Sequence, residues 1–347
     1  MKWLKRITLA LLTPLLLLAA AEAIVQVIGD PRAKDLVAEA KEQPSYWKLA
    51  GAGILDGGDA ATRFVLRPGF EAAIGGIDYR INSLGLRGSE RALAKTPGRK
   101  RILVVGDSYA FGLGVKEEGT LDAAIERDAS AVGTAIEAIN FGVPAYNTAQ
   151  ELALLETLGF TLAPDLVVLL YYPNDNVEAT LRYSPRFRAP YVDELPLPDA
   201  WKPALSASYL YSLAAKFDSA RRADAGEFDT RGTHNWPVTT ARLRAFAATC
   251  TEHHVPFLFA PLPELSDHFQ LNDDASEVAV DHARVLAFAR DEKWPVVDLR
   301  AAFRAKVKAI EKLFVSLQPL DNHLTAEGYA IVADALAPEV ARLLAGK

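Results

Sequence analysis

The chain has 347 residues, half of them apolar and 24% charged, with a formal net charge of −6 at pH 7. That length accommodates one large domain with appendages, or two domains. No basic block appears beyond Lys2, Lys5 and Arg6, which argues against a nucleic-acid surface, and the apolar content argues against disorder. The single cysteine, Cys250, excludes an intramolecular disulfide and any cysteine-built metal site. Its helical spacing from Leu243 and Phe246 makes it a buried structural thiol.

At the N-terminus the basic residues precede an apolar run, Ile7 to Ile28, interrupted by Glu22. Positive charge ahead of such a run predicts that the chain beyond it is exported. Residues 1–28 are then either a signal peptide, cut near Ala21-Glu22-Ala23, or a single-pass anchor with its N-terminus inside. The 22 residues from Ile7 to Ile28, about 33 Å as a helix, suffice to span a bilayer. Both readings put the remainder outside the cytoplasm.

Residues 29–98 read as a linker and a small β-containing appendage. Gly51-Ala52-Gly53 through Gly57-Gly58 has no preceding strand and no βαβ unit after it, so it reads as a flexible loop rather than a dinucleotide fingerprint. Strands are expected at Phe64–Leu66 and Ile77–Ile81. The turn-prone Asn82-Ser83-Leu84-Gly85-Leu86-Arg87-Gly88 comes next, and its Arg87 reads as solvated or locally paired, with reach to the active-site rim as the alternative.

From residue 99 to 347, strand and helix patterns alternate. Strands are expected at Ile102–Val105, Ile136–Asn140, Leu166–Tyr171, Pro256–Ala260 and Pro295–Leu299. Helices are expected at Leu121–Asp128, Thr148–Leu158, Ala204–Arg222, Thr239–His253, Ser276–Glu292, Ala301–Leu313 and Thr325–Leu344. Short apolar strands separated by helices predict a five-stranded parallel sheet covered on both faces, an α/β architecture. A proline- and aromatic-rich excursion, residues 176–236, leaves the end of the third strand as a packing insertion or a lid.

The chemistry concentrates at the strand ends. Arg101 to Val105 leads into Gly106-Asp107-Ser108, which puts a serine on the rim where α/β folds place their sites. A serine hydroxyl needs a base. Of the six histidines, His253 and His254 suit a helix end, His282 lies inside a helix, His234 lies in the excursion, and His268 follows the fourth strand as a rival. His323 stands in Asp321-Asn322-His323, a turn entering the last helix, where Asp321 can take the Nδ1 proton while Nε2 faces Ser108. The oxyanion donors expected are the Ser108 amide, the Gly142 amide in Asn140-Phe141-Gly142, and the side chain of Asn174 in Tyr172-Pro173-Asn174-Asp175.

Gly106-Asp107-Ser108, Gly142, Asn174-Asp175 and Asp321-x-His323 stand in the order found in SGNH (GDSL-type) hydrolases, and residues 100–347 resemble that family. The resemblance implies a flavodoxin-like three-layer α/β/α fold, with Ser108 as nucleophile, His323 as base then acid, and Asp321 orienting it. It further implies an oxyanion hole from Ser108, Gly142 and Asn174. The chain departs from the family pattern at Tyr109, at Tyr172 where glycine is frequent, and in the single residue between Asp321 and His323. Members with an N-terminal membrane segment and an Asn-Ser-x-Gly-x-Arg stretch look like envelope-facing esterases or O-acyltransferases. The Gly-x-Ser-x-Gly elbow of α/β-hydrolases is absent.

The leading expectation is an extracytoplasmic serine esterase acting on acyl esters such as O-acetyl, with no cofactor and no metal. An O-acetyltransferase acting on cell-envelope glycan would use the same residues, and a non-catalytic envelope-binding protein is the alternative from another class. The partners expected are an acylated small molecule or glycan and, through residues 7–28, a membrane.

Overall fold

Seven residues, Lys100–Gly106, form the strand β5 around which the rest is laid; four of them are aliphatic, three of those β-branched, as befits a strand covered on both faces. The computed structural model describes residues 2–28, 49, 52–59, 61–131, 135–176, 181–184, 189–192, 195–198, 200–205, 208–224, 236–264, 271, 273–306, 314–315 and 323–346. Before β5 come the helix α1 (Lys2–Ile28) and four short strands: β1 (Leu55–Gly57), β2 (Phe64–Leu66), β3 (Glu71–Ile74) and β4 (Ile77–Arg80). After it come α2 (Ser108–Phe111), α3 (Leu121–Ala131), β6 (Ile136–Gly142), α4 (Thr148–Thr157) and β7 (Leu166–Tyr171). The excursion holds the hairpin β8 (Leu181–Ser184) and β9 (Ala189–Val192), then α5 (Lys202–Leu205) and α6 (Tyr209–Asp224). The chain continues through α7 (Trp236–Glu252), β10 (Phe257–Pro261), α8 (Glu277–Asp291), α9 (Leu299–Lys306), β11 (Phe314–Val315), β12 (His323–Leu324) and α10 (Ala326–Ala345).

The central sheet has the order β6-β5-β7-β10 with every pairing parallel. Chain order therefore reverses between β5 and β7, and a crevice opens there beyond the carboxyl ends of the strands. Alternation along each strand separates two cores. Leu103, Val105, Ile139, Phe141, Val167 and Leu169 pack with Leu154 and Leu155 of α4, with Leu243, Phe246 and Cys250 of α7, and with the N-terminal strands. Ile102, Val104, Ala138, Val168 and Leu170 pack with α3, with Phe303 of α9 and with Tyr329, Val332 and Leu336 of α10. Two covered faces make a three-layer α/β/α domain.

Three expectations change here. Among the described residues the sheet has four strands, not five. Residues 295–299 touch it through one parallel bridge, Phe259–Val296. Pro295 has no N–H to donate and Leu299 already begins α9, which leaves no room for a ladder. The glycine-rich stretch is not all loop: Leu55–Gly57 pairs antiparallel with Phe64–Leu66.

Thirdly, no helix among the described residues is long and apolar enough to cross a membrane. In α1, Glu22 accepts hydrogen bonds from Ser208 Oγ (2.7 Å) and from the Tyr209 and Leu210 amides (2.7 and 3.0 Å), meeting the positive end of α6. The described parts of the excursion thus pack toward the N-terminal segments, with β8 beside β1 and α6 beside α1.

Candidate active site

Ser108 opens α2, a helix of four buried residues. Gly106 ends the strand where an added Cβ would lie 2.7 Å from Leu170 O and 2.8 Å from Ala110 Cβ, so only glycine passes. Asp107 caps the helix, its Oδ1 accepting the Tyr109 amide at 2.9 Å. Gly112 closes the helix in the left-handed region, at φ 80°. The Ser108 hydroxyl is thereby pinned at the mouth of the crevice.

His323 arrives from the other end of the chain. Its Nε2 lies 2.8 Å from Ser108 Oγ, across 215 positions of sequence. The short pair β11–β12 sets the register with Val315 opposite His323, and Thr325 caps α10 just beyond. The imidazole stacks on Tyr109, with centroids 4.6 Å apart, and Tyr109 also meets Tyr172 at 4.2 Å. Asp321, His268 and His234 lie outside the described residues. His282 faces Asp298 (3.2 Å) rather than its neighbour Asp281, and His253 stacks on Phe160, so both serve structure. Cys250 is buried, which pushes its thiol up to about 12.

Asn174 stands just past β7 in the turn Pro173–Asn176. Its Nδ2 donates to Asp107 Oδ2 at 2.8 Å, which orients the amide and leaves its second N–H for a ligand. Asp175 is buried beneath it, Oδ2 accepting the Tyr172 amide at 2.9 Å. Glu151, in the first turn of α4, is completely buried. Both Glu151 oxygens and Asp175 Oδ1 are buried without a hydrogen-bond partner. Burial comes first in holding both carboxyls well above the ordinary range, followed by the charge of Asp107 for Glu151 and those of Glu151 and Asp107 for Asp175; burial raises Asp107 too. Among the described residues no cluster of three or more His, Cys, Asp or Glu could hold a metal ion.

Gly142, expected as an oxyanion donor, ends β6 beside the helix that carries Ser108. Its amide donates to Asn140 Oδ1 at 3.0 Å, and that carboxamide is fixed in turn by Nδ2 bonds to Ala110 O (2.9 Å) and Asp122 Oδ1 (2.8 Å). The residue is glycine for space, because a Cβ would fall 1.9 Å from the Phe111 amide nitrogen. Three residues on, Ala145 adopts φ 66°, costly for an alanine. Around it Val143 donates to Gly106 O, Tyr146 to Val143 O, and Asn147 to Gln150 Oε1. No acceptor engages the Ala145 amide among the described residues. Nothing in the sequence marks this residue, since alanine carries no left-handed preference.

Arg87 departs from the leading expectation. It is buried, neither solvated nor locally paired, and donates to carbonyls of Phe111, Gly112 and Val115, 24 to 28 residues onward.

The profile of the family described as "GDSL-like Lipase/Acylhydrolase family" matches residues 104–331. Among solved structures, a lipolytic protein of the G-D-S-L family from Desulfitobacterium hafniense DCB-2 is 14% identical, with TM-score 0.42, covering 70% of this chain and 99% of that one. A lipase/acylhydrolase from Enterococcus faecalis is 16% identical, with TM-score 0.43, covering 70% and 95%. A catalytic mutant of Axe2, an acetylxylan esterase from Geobacillus stearothermophilus, is 15% identical, with TM-score 0.43, covering 70% and 94%. No curated protein matches the chain.

Proposed function

The chain belongs to the GDSL-like lipase/acylhydrolase family and is an ester-bond hydrolase; from that premise we propose that Ser108 is its nucleophile and His323 its general base. The observation that carries this is the 2.8 Å approach of His323 Nε2 to Ser108 Oγ. Oγ attacks the ester carbonyl carbon as its proton passes to Nε2. The oxyanion is met by the Ser108 amide, which as first in a helix has no acceptor within it, by the free N–H of Asn174 and by the Ala145 amide in place of Gly142. The intermediate collapses, the alcohol leaves with the proton from His323, and water then clears the acyl-enzyme by the same route. Asp321 is kept as the group orienting His323 on the strength of the Asp-x-His spacing alone.

The acyl group in this reading is short, an acetyl. Tyr109 packs against both Tyr172 and His323, and in this reading the rings crowd the space next to the base, which favours a small substituent on the carbonyl. The reading also keeps the catalytic residues outside the cytoplasm, since Lys2, Lys5 and Arg6 precede the apolar run.

A p-nitrophenyl ester series tests the chemistry. Acetate should turn over faster than octanoate, and Ser108→Ala should abolish turnover while the chain still melts cooperatively. Undiminished hydrolysis by Ser108→Ala removes the nucleophile assignment, and a preference for octanoate removes the acetyl one. Faster product formation with an added glycan acceptor would make the acyl-enzyme a donor to sugars. Protease digestion of intact spheroplasts tests the location; a protected catalytic domain refutes it.

A further inference from the structure

The four-residue helix that carries Ser108 is too short to hold itself. Each of its carbonyls takes a donor, and most donors come from a different part of the chain. Ser108 O accepts the Gly112 and Leu113 amides at 3.1 and 3.0 Å. Tyr109 O accepts Tyr329 Oη of α10 at 2.7 Å. Ala110 O accepts Asn140 Nδ2 of β6 at 2.9 Å. Phe111 O accepts Arg87 Nη1 at 2.6 Å, and the same guanidinium reaches Gly112 O and Val115 O, both at 2.5 Å.

That guanidinium comes from the appendage, ahead of the family-matched residues 104–331. It lies against the rings of both Tyr79 (4.8 Å) and Phe111 (4.6 Å), which are themselves stacked at 5.9 Å. Tyr79 Oη accepts the Gly114 amide at 2.9 Å, so the turn after the helix is held from both chemical sides, its carbonyls by Arg87 and an amide by Tyr79. Gly112 and Gly114, both at φ 80°, give that turn its shape, and an added Cβ on Gly112 would lie 3.1 Å from Arg87 Nη1. A planar fork with five donors suits three converging carbonyls; an ammonium does not.

Resting on the reading of Ser108 as nucleophile, we infer that Arg87 is a positioning residue for catalysis, and that with Tyr79 it makes the appendage part of the catalytic unit. The carbonyl cluster it gathers ends the helix whose first residue is Ser108, and Phe111 forms the wall against which Gly142 is packed. A shift of about 1 Å in such a helix is worth on the order of 10²-fold in turnover. The Asn-Ser-x-Gly-x-Arg stretch thereby gains a purpose. Its Asn82 side chain accepts the Leu84 and Leu86 amides (3.0 and 3.1 Å), shaping the turn that delivers Arg87.

The test compares kcat and KM for p-nitrophenyl acetate, and the rate of fluorophosphonate labelling of Ser108, in the full chain and in Arg87→Ala, Arg87→Lys and Tyr79→Phe. Arg87→Ala should lose about 10²-fold in kcat with KM little changed, and labelling should slow in parallel. Arg87→Lys should recover only a small part of the loss. Tyr79→Phe, which keeps the ring and removes one acceptor, should lower kcat several-fold and stay folded even if Arg87→Ala does not. A kcat unchanged in both Arg87→Lys and Tyr79→Phe overturns the inference, as does a loss appearing wholly in KM. Absence of label on Ser108 in the unmutated chain overturns the nucleophile reading and this one with it; label there with unaltered variants overturns this one alone.

Discussion

The two ends of the central sheet treat buried charge in opposite ways. At the amino ends the buried charges of the strands are answered. Arg101 of β5 is fully buried and faces Glu137, its register partner on β6, at 2.9 Å. Its remaining donors reach the carbonyls of Ala92, Leu93, Ala94 and Leu162. Asp165 beside it accepts the Arg101 amide and meets Lys95 at 2.6 Å and Lys100 at 3.6 Å. At the carboxyl ends, Asp107, Glu151 and Asp175 are buried with no cation against them in any described ion pair, and all are held above the ordinary carboxyl range, first by burial. One end of the fold commits its polar groups to stability; the other tolerates unsatisfied ones where a reaction is to happen.

The largest effect expected from this contrast is at the stable end. Arg101→Met should cost about 3–5 kcal/mol of unfolding free energy, because Glu137 and four carbonyls lose their common donor in a dry site. Denaturant melts would show it, and specific activity at low temperature should be retained by the folded fraction. A cost under about 1 kcal/mol would put Arg101 with the ordinary surface pairs.

Asn174→Ala, at the reactive end, should reverse the pattern. On the proposed oxyanion role, turnover should fall about 10²–10³-fold, roughly 2.7–4 kcal/mol of barrier, while the melt moves less than for Arg101→Met, Asp107 losing one donor and keeping the Tyr109 amide. If both variants lose stability and neither loses turnover, the division between the two ends is wrong.

The same division explains which features were legible in the sequence. Ser108 and Asn174 could be placed together because each follows a strand of the central sheet, and those strand ends share one rim; His323 was singled out by its place before the last helix. The architecture was legible because strands covered on both faces are apolar throughout. Arg87 was visible as a letter but not as a contact, since its acceptors are backbone carbonyls, which leave no trace in sequence. The close packing of Gly142 on Phe111 could not be read from its letter, because a glycine kept for lack of space looks the same as one kept for an exposed amide. The positive φ of Ala145 was invisible because it is imposed by the turn, not by the side chain. The fifth strand was overcounted because an apolar run says nothing about how many of its amides find partners.

Glu151→Gln should give a smaller effect, of definite sign. A carboxyl raised above its ordinary 4.5 binds its proton more tightly folded than unfolded. Folding stability of the wild type therefore falls as pH rises from about 4.5 toward the raised value. Glutamine, which does not titrate, should melt higher than wild type at pH 7, and the gap should close toward pH 4.5. A gap that widens on acidification would mean that Glu151 is ionised and paired.

The smallest effect belongs to Lys95, whose side chain is 29% exposed. For Asp165, burial raises the carboxyl, but the Lys95 hydrogen bond, the Arg101 amide and the two lysine charges outweigh it and set it below its ordinary 3.8. A depressed carboxyl contributes stability above its unfolded value and loses it as pH falls through the folded one. Lys95→Ala should therefore cost about 0–1 kcal/mol at neutral pH, less at high salt, with the difference from wild type shrinking below pH 3.8. It is the counterpart of Glu151→Gln: the difference between variant and wild type shrinks in both on acidification, the lysine variant approaching from below and the glutamine variant from above. If the Lys95→Ala deficit instead stayed constant down to about pH 3, the lysine would be acting through the packing of its alkyl stem, and the amino end of the sheet would owe less to charge than its geometry implies.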